Sequence, residues 1–110
     1  MVALDRFTVV FLVTPADAPP YDEAIQNAHL SHLADLHEAG KLIAAGPLRD
    51  PELRGIALFN VDADEARALL EDDPAVRAGW FDLRVIPWFA PGGAVRYSRT
   101  QFPRSVADVE

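Results

Sequence analysis

The amino-acid sequence predicts an α+β domain in which a four-stranded antiparallel sheet carries its helices on one face. Short apolar segments rich in β-branched and aromatic residues alternate with segments of helical periodicity. Their order is strand, helix, strand, strand, helix, short helix, strand, which is the split βαβ order of ferredoxin-like folds. With 110 residues, half of them hydrophobic, the chain is long enough for one domain with one core.

The N-terminal third of the chain predicts a strand followed by a long helix. Residues 6–13 are apolar at both alternating sets of positions, as expected of a central strand that is buried on both faces. Three prolines between residues 15 and 20 then end the strand. Residues 21–40 place apolar side chains on one arc of a helix, and Gly40 is positioned to end it in the left-handed conformation.

The chain up to residue 90 predicts three further strands and two short helices. The Gly46-Pro47 pair ends the second strand. Asp62 and Glu65 form a capping box that starts the second helix, and Asp73-Pro74 starts a short helical turn. The predicted strands are residues 42–45, 56–61 and 80–89.

The predicted fold leaves one face of the sheet without a covering layer. Because a large apolar patch rarely stays in water, we expect two sheets to pack face to face in a homodimer. Trp80 and Trp88 lie an even number of residues apart in the predicted strand, so their side chains are on the same side, and we assign both to that interface. Residues 1–90 form the domain in this prediction. Residues 91–110 form a tail that is either a dimer arm on the partner subunit or a partly disordered end.

The composition excludes several kinds of partner. A net charge of −7 and no basic cluster argue against nucleic acid and against an anionic membrane surface. The absence of cysteine excludes disulfides and thiolate chemistry. The sequence shows no signal peptide and no apolar run long enough for a membrane span, so a cytoplasmic protein is the simplest expectation.

The long predicted helix carries a histidine in the middle of its apolar face. A buried imidazole needs hydrogen-bond partners, so Leu or Ala is the usual occupant of such a position. His29 is therefore a candidate general base, and the alternative is a core histidine bonded to a backbone carbonyl. His37, further along the helix, is expected at a partly exposed surface or interface.

The sequence does not predict a metal or cofactor site. His29 and His32 have a spacing that can bind a metal on one helix, but no motif supplies a third ligand, so we predict no metal. There is no phosphate-binding glycine loop and no nucleophile-elbow serine. We accordingly expect chemistry without a cofactor.

Three short segments occur in a characteristic order and spacing: residues 28–33 (AHLSHL), 45–48 (AGPL) and 72–79 (DDPAVRAG). Together they resemble the YciI-like (YCII-related) family of small bacterial proteins. The similarity spans residues 6–89 and leaves the tail outside. The resemblance implies a dimeric ferredoxin-like α+β barrel with a histidine–aspartate pair in a cavity beside the sheet.

Matched by position, the resemblance assigns this pair to His29 and Asp73. It also places the Gly46-Pro47 turn beside the same cavity, as part of the substrate-binding set. We add His32, one helical turn beyond His29, to that set. Asp73 has a second explanation, since an Asp-Pro pair commonly caps a helix, and one carboxylate can both cap a helix and bind a histidine.

Two positions depart from the family pattern. Gln26 stands where the family often has an arginine, which removes a possible contact to an anion or phenolate. Ala75 stands where an aromatic residue often follows Asp-Pro, which changes the expected shape of the cavity. Both differences affect the substrate that the resemblance would otherwise imply.

The predicted function is a cofactor-free lyase or isomerase acting on a small cyclic or aromatic metabolite. His29 would abstract a proton while Asp73 orients its ring, leading to isomerisation or to loss of halide. The alternative is a non-catalytic dimer that binds a small ligand or modulates a partner protein, in which His29 only orders the core.

Overall fold

The four strands of the sheet are antiparallel in the structure, a computed structural model that describes residues 1–109. The strands are β1 (Leu4–Val13), β2 (Leu42–Pro47), β3 (Leu53–Phe59) and β4 (Asp82–Pro91). The helices are α1 (Glu23–Glu38), α2 (Ala63–Glu71) and α3 (Pro74–Arg77), and a 3₁₀ turn covers Val106–Asp108. The order within the sheet is β2-β3-β1-β4. The predicted ferredoxin-like α+β fold is therefore confirmed.

The helices begin at residues whose side chains accept backbone hydrogen bonds. Asp22 caps α1 by accepting from the Ile25 N–H at 3.1 Å, and Asp62 caps α2 by accepting from the Glu65 N–H at 2.8 Å. Gly40 has φ +79 just beyond the end of α1, as predicted, because glycine adopts the left-handed conformation at little cost. None of the helices in residues 1–109 combines the length and hydrophobicity that a bilayer-spanning segment requires.

The central strand β1 fixes the helices over one face of the sheet. Val10 of β1 lies opposite Ala57 of β3 and Val85 of β4. Its side chain is fully buried in a core formed by this sheet face and by α1 and α2. Each buried aliphatic side chain contributes about 1.5–3 kcal/mol, so this core holds α1 firmly against the sheet. The larger members of the core are Leu12, Leu33, Leu36, Leu42, Phe59 and Leu70.

The face of the sheet that is turned away from the helices is apolar, and most of its side chains are only half-buried. Phe7 and Val9 of β1 lie opposite Trp88 and Ile86 of β4, and the Phe7 and Trp88 rings are 6.0 Å apart. Trp88 and Ile86 remain 41% and 40% exposed. Half-buried Val9, Phe11, Val13, Ile56 and Leu58 extend the same surface. We call these residues, with Phe7, Ile86 and Trp88, the outer sheet face.

The fourth strand begins later than predicted, and this corrects the role of one tryptophan. Gly79 has φ +83 and turns the chain, so Trp80 precedes β4 instead of belonging to it. The Trp80 side chain is 8% exposed, and its ring lies 5.8 Å from that of Tyr21. The assignment of Trp80 to a sheet interface beside Trp88 is therefore wrong.

The second and third strands also differ in their bounds from the sequence prediction. The second strand reaches Pro47, which is tolerated because β2 is an edge strand and pairs only with β3. The third strand lies earlier than predicted, at Leu53–Phe59, because Leu53 and Gly55 pair with the end of β1. Asn60 leaves the β3 pairing, and its N–H bonds the Lys41 carbonyl.

The described part of the tail packs on α1 of its own chain. The backbone N–H of Val106 donates to Asn27 at 2.8 Å, near the start of the helix. Arg104 donates a hydrogen bond to Asp35 at 2.9 Å and also pairs with Glu38, and the bond that it donates to Asp35 is the main reason that the pKa of Arg104 is raised. The tail thus runs antiparallel to the helix over most of its length.

Candidate active site

The histidine that interrupts the apolar face of α1 is buried and bonded to an aspartate. His29 belongs to the same buried face as Leu33 and Leu36, so the core packing that fixes the helix also fixes its ring. His29 Nδ1 lies 2.5 Å from Asp73 Oδ2, and the two side chains are 8% and 0% exposed. The structure therefore brings together the two residues that the family resemblance paired.

Asp73 uses its two carboxylate oxygens for two different partners. It is the N-cap of α3, where Oδ1 accepts a hydrogen bond from the Ala75 N–H at 2.9 Å. Oδ2 is left for His29. Pro74 has the restricted φ that favours the first position of a helix, which holds the carboxylate at this end of α3. Both sequence explanations for Asp73, capping and histidine binding, thus apply together.

The hydrogen bond to Asp73 assigns different roles to the two nitrogens of His29. An ionised carboxylate can only accept, so Nδ1 carries the proton in the Asp73 bond. In the neutral ring Nε2 is then the unprotonated nitrogen, which can accept a proton from another molecule. Because the pair is nearly inaccessible to water, the carboxylate orients the imidazole with little competition from solvent.

His29 borders a cavity of about 300 Å³ between α1 and one end of the sheet. Most of its lining is apolar, and the ring of Phe81 lies 5.7 Å from that of His29. Besides His29, the lining side chains that carry a polar group are those of Gln26 and Arg54. A cavity of this size and polarity suits a small ring with few polar substituents.

The other predicted substrate-binding residues occupy different places. Gly46 and Pro47 line the cavity beside His29, as the resemblance implied. His32 does not line it, because its Nε2 lies 2.8 Å from the Leu69 carbonyl oxygen in α2. Asp73 also lies outside the lining, because it is completely buried behind the histidine.

The tail contributes a wall of the cavity that the sequence did not predict. Phe102, Pro103 and Val109 all line the cavity. The family resemblance ends before these residues, so no motif indicated them. Arg54 was also missed, since it lies in a segment that the sequence assigned to a connection before the third strand.

His37 is buried, so the expectation that it would be partly exposed is wrong. Only 1% of the residue is accessible, because the tail covers it. Its Nδ1 donates to the Leu42 carbonyl at 2.7 Å, and its Nε2 accepts from the Thr100 N–H at 2.9 Å. The Phe102 ring stacks on it at 4.1 Å, and the Tyr97 hydroxyl donates to its carbonyl at 2.5 Å. His37 is thus a structural residue that holds the tail.

The three histidines therefore have separate hydrogen-bond partners. His29 bonds a carboxylate and His32 bonds a carbonyl of α2. His37 bonds a carbonyl of β2 and a backbone N–H of the tail. Within residues 1–109 no three histidine, aspartate or glutamate side chains converge as metal ligands would. The arrangement at His29 is that of an imidazole whose ring is oriented by a buried carboxylate.

Comparison with known proteins connects this geometry to a family. No curated protein sequence matches the chain. Among solved structures, it is similar to 5-chloro-2-hydroxyhydroquinone dehydrochlorinase from Burkholderia phenoliruptrix AC1100, in complex with 2,5-dihydroxybenzoquinone. The TM-score is 0.55 at 19% identity, covering 74% of this chain and 92% of the other, a likeness of fold. The family model of the YCII-related domain matches residues 7–89. The chain therefore belongs to the YCII-related domain family.

Proposed function

We propose that the protein is a cofactor-free lyase or isomerase that removes a proton from a small cyclic or aromatic substrate. The observation that carries this proposal is the buried bond between His29 and Asp73 beside a cavity large enough for one ring. A histidine that only ordered the core would satisfy a backbone carbonyl, as His32 and His37 do. His29 instead binds a fully buried carboxylate.

In the proposed reaction His29 Nε2 accepts a proton from a ring hydroxyl or from a carbon next to a carbonyl. The imidazolium that forms is stabilised by the charge of Asp73. The electrons of the broken bond move into the ring. Where the proton came from a carbon, they either expel a halide ion from the neighbouring carbon, which is a lyase reaction, or return to a proton at another carbon, which is an isomerisation. Where the proton came from a ring hydroxyl, the ring carbon that bears the halogen first takes up a proton, and loss of a second hydroxyl proton then expels the halide ion with its electron pair and leaves a quinone. Neither outcome needs an oxidant or reductant.

The chemistry named for the similar solved structure is of this type. That protein is a dehydrochlorinase whose name gives a chlorinated hydroxyhydroquinone as its substrate, and it was solved with a dihydroxybenzoquinone. Elimination of chloride from such a ring begins with loss of a proton, which is the step we assign to His29. For this chain the proposal names the reaction type and substrates of ring size.

The proposal includes a homodimer that forms through the outer sheet face. Val9, Phe11, Ile86 and Trp88 give this face an apolar surface that one copy of the chain buries only in part. A second copy offers the same surface, so a two-fold axis matches apolar side chains with apolar side chains. The cavity beside His29 is lined mainly by α1 and by the helix-covered side of the sheet, with Ile56 as its contact to the outer sheet face.

The test combines turnover with the state of the histidine ring. Two reactions are measured for the wild type and for Asp73→Asn. The first is chloride release from 5-chloro-2-hydroxyhydroquinone. The second is deuterium uptake in D₂O by butenolides, which are unsaturated cyclic esters with an acidic carbon next to a carbonyl. The new amide can bond His29 in two ways. In the first, its oxygen accepts a hydrogen bond from Nδ1, but without the negative charge of a carboxylate. In the second, its NH₂ donates to Nδ1, so that the ring proton lies on Nε2. We expect the second arrangement, with activity falling roughly 10²- to 10⁴-fold.

¹⁵N NMR of the histidine rings shows which ring nitrogen is protonated and does not require a substrate. We expect a protonated Nδ1 for His29 in the wild type and a protonated Nε2 in Asp73→Asn. If the tautomer changes in Asp73→Asn but the wild type catalyses neither reaction, the result would support the alternative function, a dimer that only binds a small ligand. An unchanged ring in the variant would contradict the role given to Asp73.

A further inference from the structure

We propose that Arg54 binds a carboxylate of the substrate, so that the protein acts on ring compounds carrying a short acidic side chain. This inference rests on the proposed function and names the class of substrate for the same site. It starts from a second cavity, of about 270 Å³, which shares Gln26, Arg54 and Phe81 with the cavity beside His29. The shared residues show that the two cavities adjoin.

The two cavities differ in what lines them. The cavity beside His29 is lined mainly by aliphatic and aromatic side chains, which favour a ring. The second cavity includes the side chains of Thr14, Tyr21 and Trp80, each of which carries a hydrogen-bonding group. A molecule that spans both would therefore place its ring beside the base and a polar substituent in the second cavity.

Arg54 is the cation at the junction of the two cavities. None of the ion pairs and none of the side-chain hydrogen bonds formed within residues 1–109 involves its guanidinium. Four other basic residues are paired with carboxylates or a ring: Arg77, Arg104, Lys41 and Arg6. The guanidinium of Arg54 is therefore available to an anion that enters beside the buried base.

The chemistry of the guanidinium favours a carboxylate as its partner. Its planar donors match the two oxygens of a carboxylate, and such charge-assisted bonds are stronger than bonds to neutral groups. Arg54 is exposed to solvent, which weakens the attraction, so we expect a preference for the anion of about tenfold and not of several orders of magnitude.

A buried donor next to the second cavity is consistent with a polar ligand there. Trp80 Nε1 is inaccessible and has no hydrogen-bond partner within residues 1–109. Trp80 is also one of the residues that line the second cavity. Its indole N–H is therefore a local probe, because a substituent entering this cavity changes the surroundings of the indole ring.

The experiment compares phenylacetate with its neutral analogue phenylacetamide. Binding to the full-length chain is followed by calorimetry and by the indole N–H signal of Trp80, which Trp88→Phe distinguishes from that of Trp88. We expect phenylacetate to bind about tenfold more tightly than phenylacetamide, with a shift of the Trp80 signal. Arg54→Gln should remove this preference, and Arg54→Lys should retain part of it.

The matched control is Arg49→Gln, which makes the same charge change at an exposed arginine that lines neither cavity. It should keep the full preference. Equal binding of the two compounds by the wild type, no saturable binding of phenylacetate, or the same loss of preference in Arg49→Gln would each overturn the proposal.

A third variant separates this proposal from the proposed function. His29→Gln removes the base and leaves Arg54 in place, so it should bind phenylacetate with the wild-type preference. If the preference depends on Arg54 but no reaction depends on His29, the carboxylate site stands and the catalytic proposal fails. If turnover depends on His29 while Arg54→Gln shows an unchanged preference, the carboxylate site fails alone.

Discussion

The imidazole of His37 accepts a hydrogen bond at Nε2 from the backbone N–H of Thr100, 2.9 Å away and 63 residues later in the sequence. The opposite nitrogen donates to the Leu42 carbonyl. One side chain of α1 therefore ties the C-terminal tail to the first residue of β2. Because Phe102 and Pro103 of the same tail line the cavity beside His29, this bond also fixes one wall of the candidate active site.

Removal of the Phe102 ring should destabilise the protein and open the cavity. Phe102 stacks on His37 and is half-buried, so Phe102→Ala is expected to cost about 1–2 kcal/mol, less than a fully buried phenylalanine. Urea unfolding measures this loss. Phe89→Ala, at a phenylalanine that is 50% exposed, is the control and should cost less. Equal losses in the two variants would contradict the packing role of the tail.

Loss of the Asp73 carboxylate should cost more than loss of an ordinary helix cap. Asp73→Ala removes a capping bond and also the partner of a buried histidine, with an expected cost of about 3–5 kcal/mol. Asp62→Ala removes a comparable capping bond at the start of α2, where no histidine is involved, and should cost about 1 kcal/mol. Urea unfolding measures the loss in free energy of unfolding for each variant. Similar losses would show that the bond between His29 and Asp73 does not stabilise the fold.

A charge on the outer sheet face should separate the proposed dimer. Trp88→Arg places a guanidinium in the middle of the apolar contact and is expected to convert a dimer to a monomer in sedimentation experiments. Phe89 is the adjacent residue of β4 and points to the other side of the sheet, so Phe89→Arg should leave the dimer intact. A wild-type protein that sediments as a monomer would exclude this contact.

Asp50 should give the stability a small dependence on acidic pH. Its carboxylate accepts hydrogen bonds from the N–H groups of Leu53 and Glu52, which lower its pKa below the ordinary 3.8. The folded state thus favours the ionised form. The stabilisation is complete above the pKa of the unfolded chain and is lost as the pH falls through the lower pKa of the folded protein.

The corresponding experiment compares urea midpoints of the wild type and Asp50→Ala from neutral pH down to about pH 2. We expect the variant to be less stable at neutral pH and the difference to shrink in acid. Asp17→Ala, at an exposed carboxylate without such hydrogen bonds within residues 1–109, should show no comparable trend. A difference that grows in acid would contradict the assignment.

The sequence was informative wherever one residue type has a strong local preference. The capping aspartates, the left-handed Gly40 and the alternation in β1 predicted the elements and hence their order. The His29–Asp73 pair was different, because nothing local relates two residues 44 positions apart. That pair came from the family resemblance, since only the assembled fold brings α3 next to α1.

The parts that the sequence did not predict depend on contacts between distant segments. Trp80 has the parity of a strand residue, but the turn at Gly79 places it outside β4. His37 has the helical position of a partly exposed residue, and only the tail makes it buried. Arg54 has no local feature that relates it to a cavity. Each of these outcomes needed the relative placement of two segments, which periodicity alone does not give.

The tail lies outside the stretch shared with the family, yet it lines the cavity in front of His29. Relatives can therefore keep one set of reactive atoms and exchange the last twenty residues or so, altering which molecules are admitted. Such a division lets natural variation, or an engineer, retune selectivity at a terminus without disturbing the buried His29–Asp73 pair.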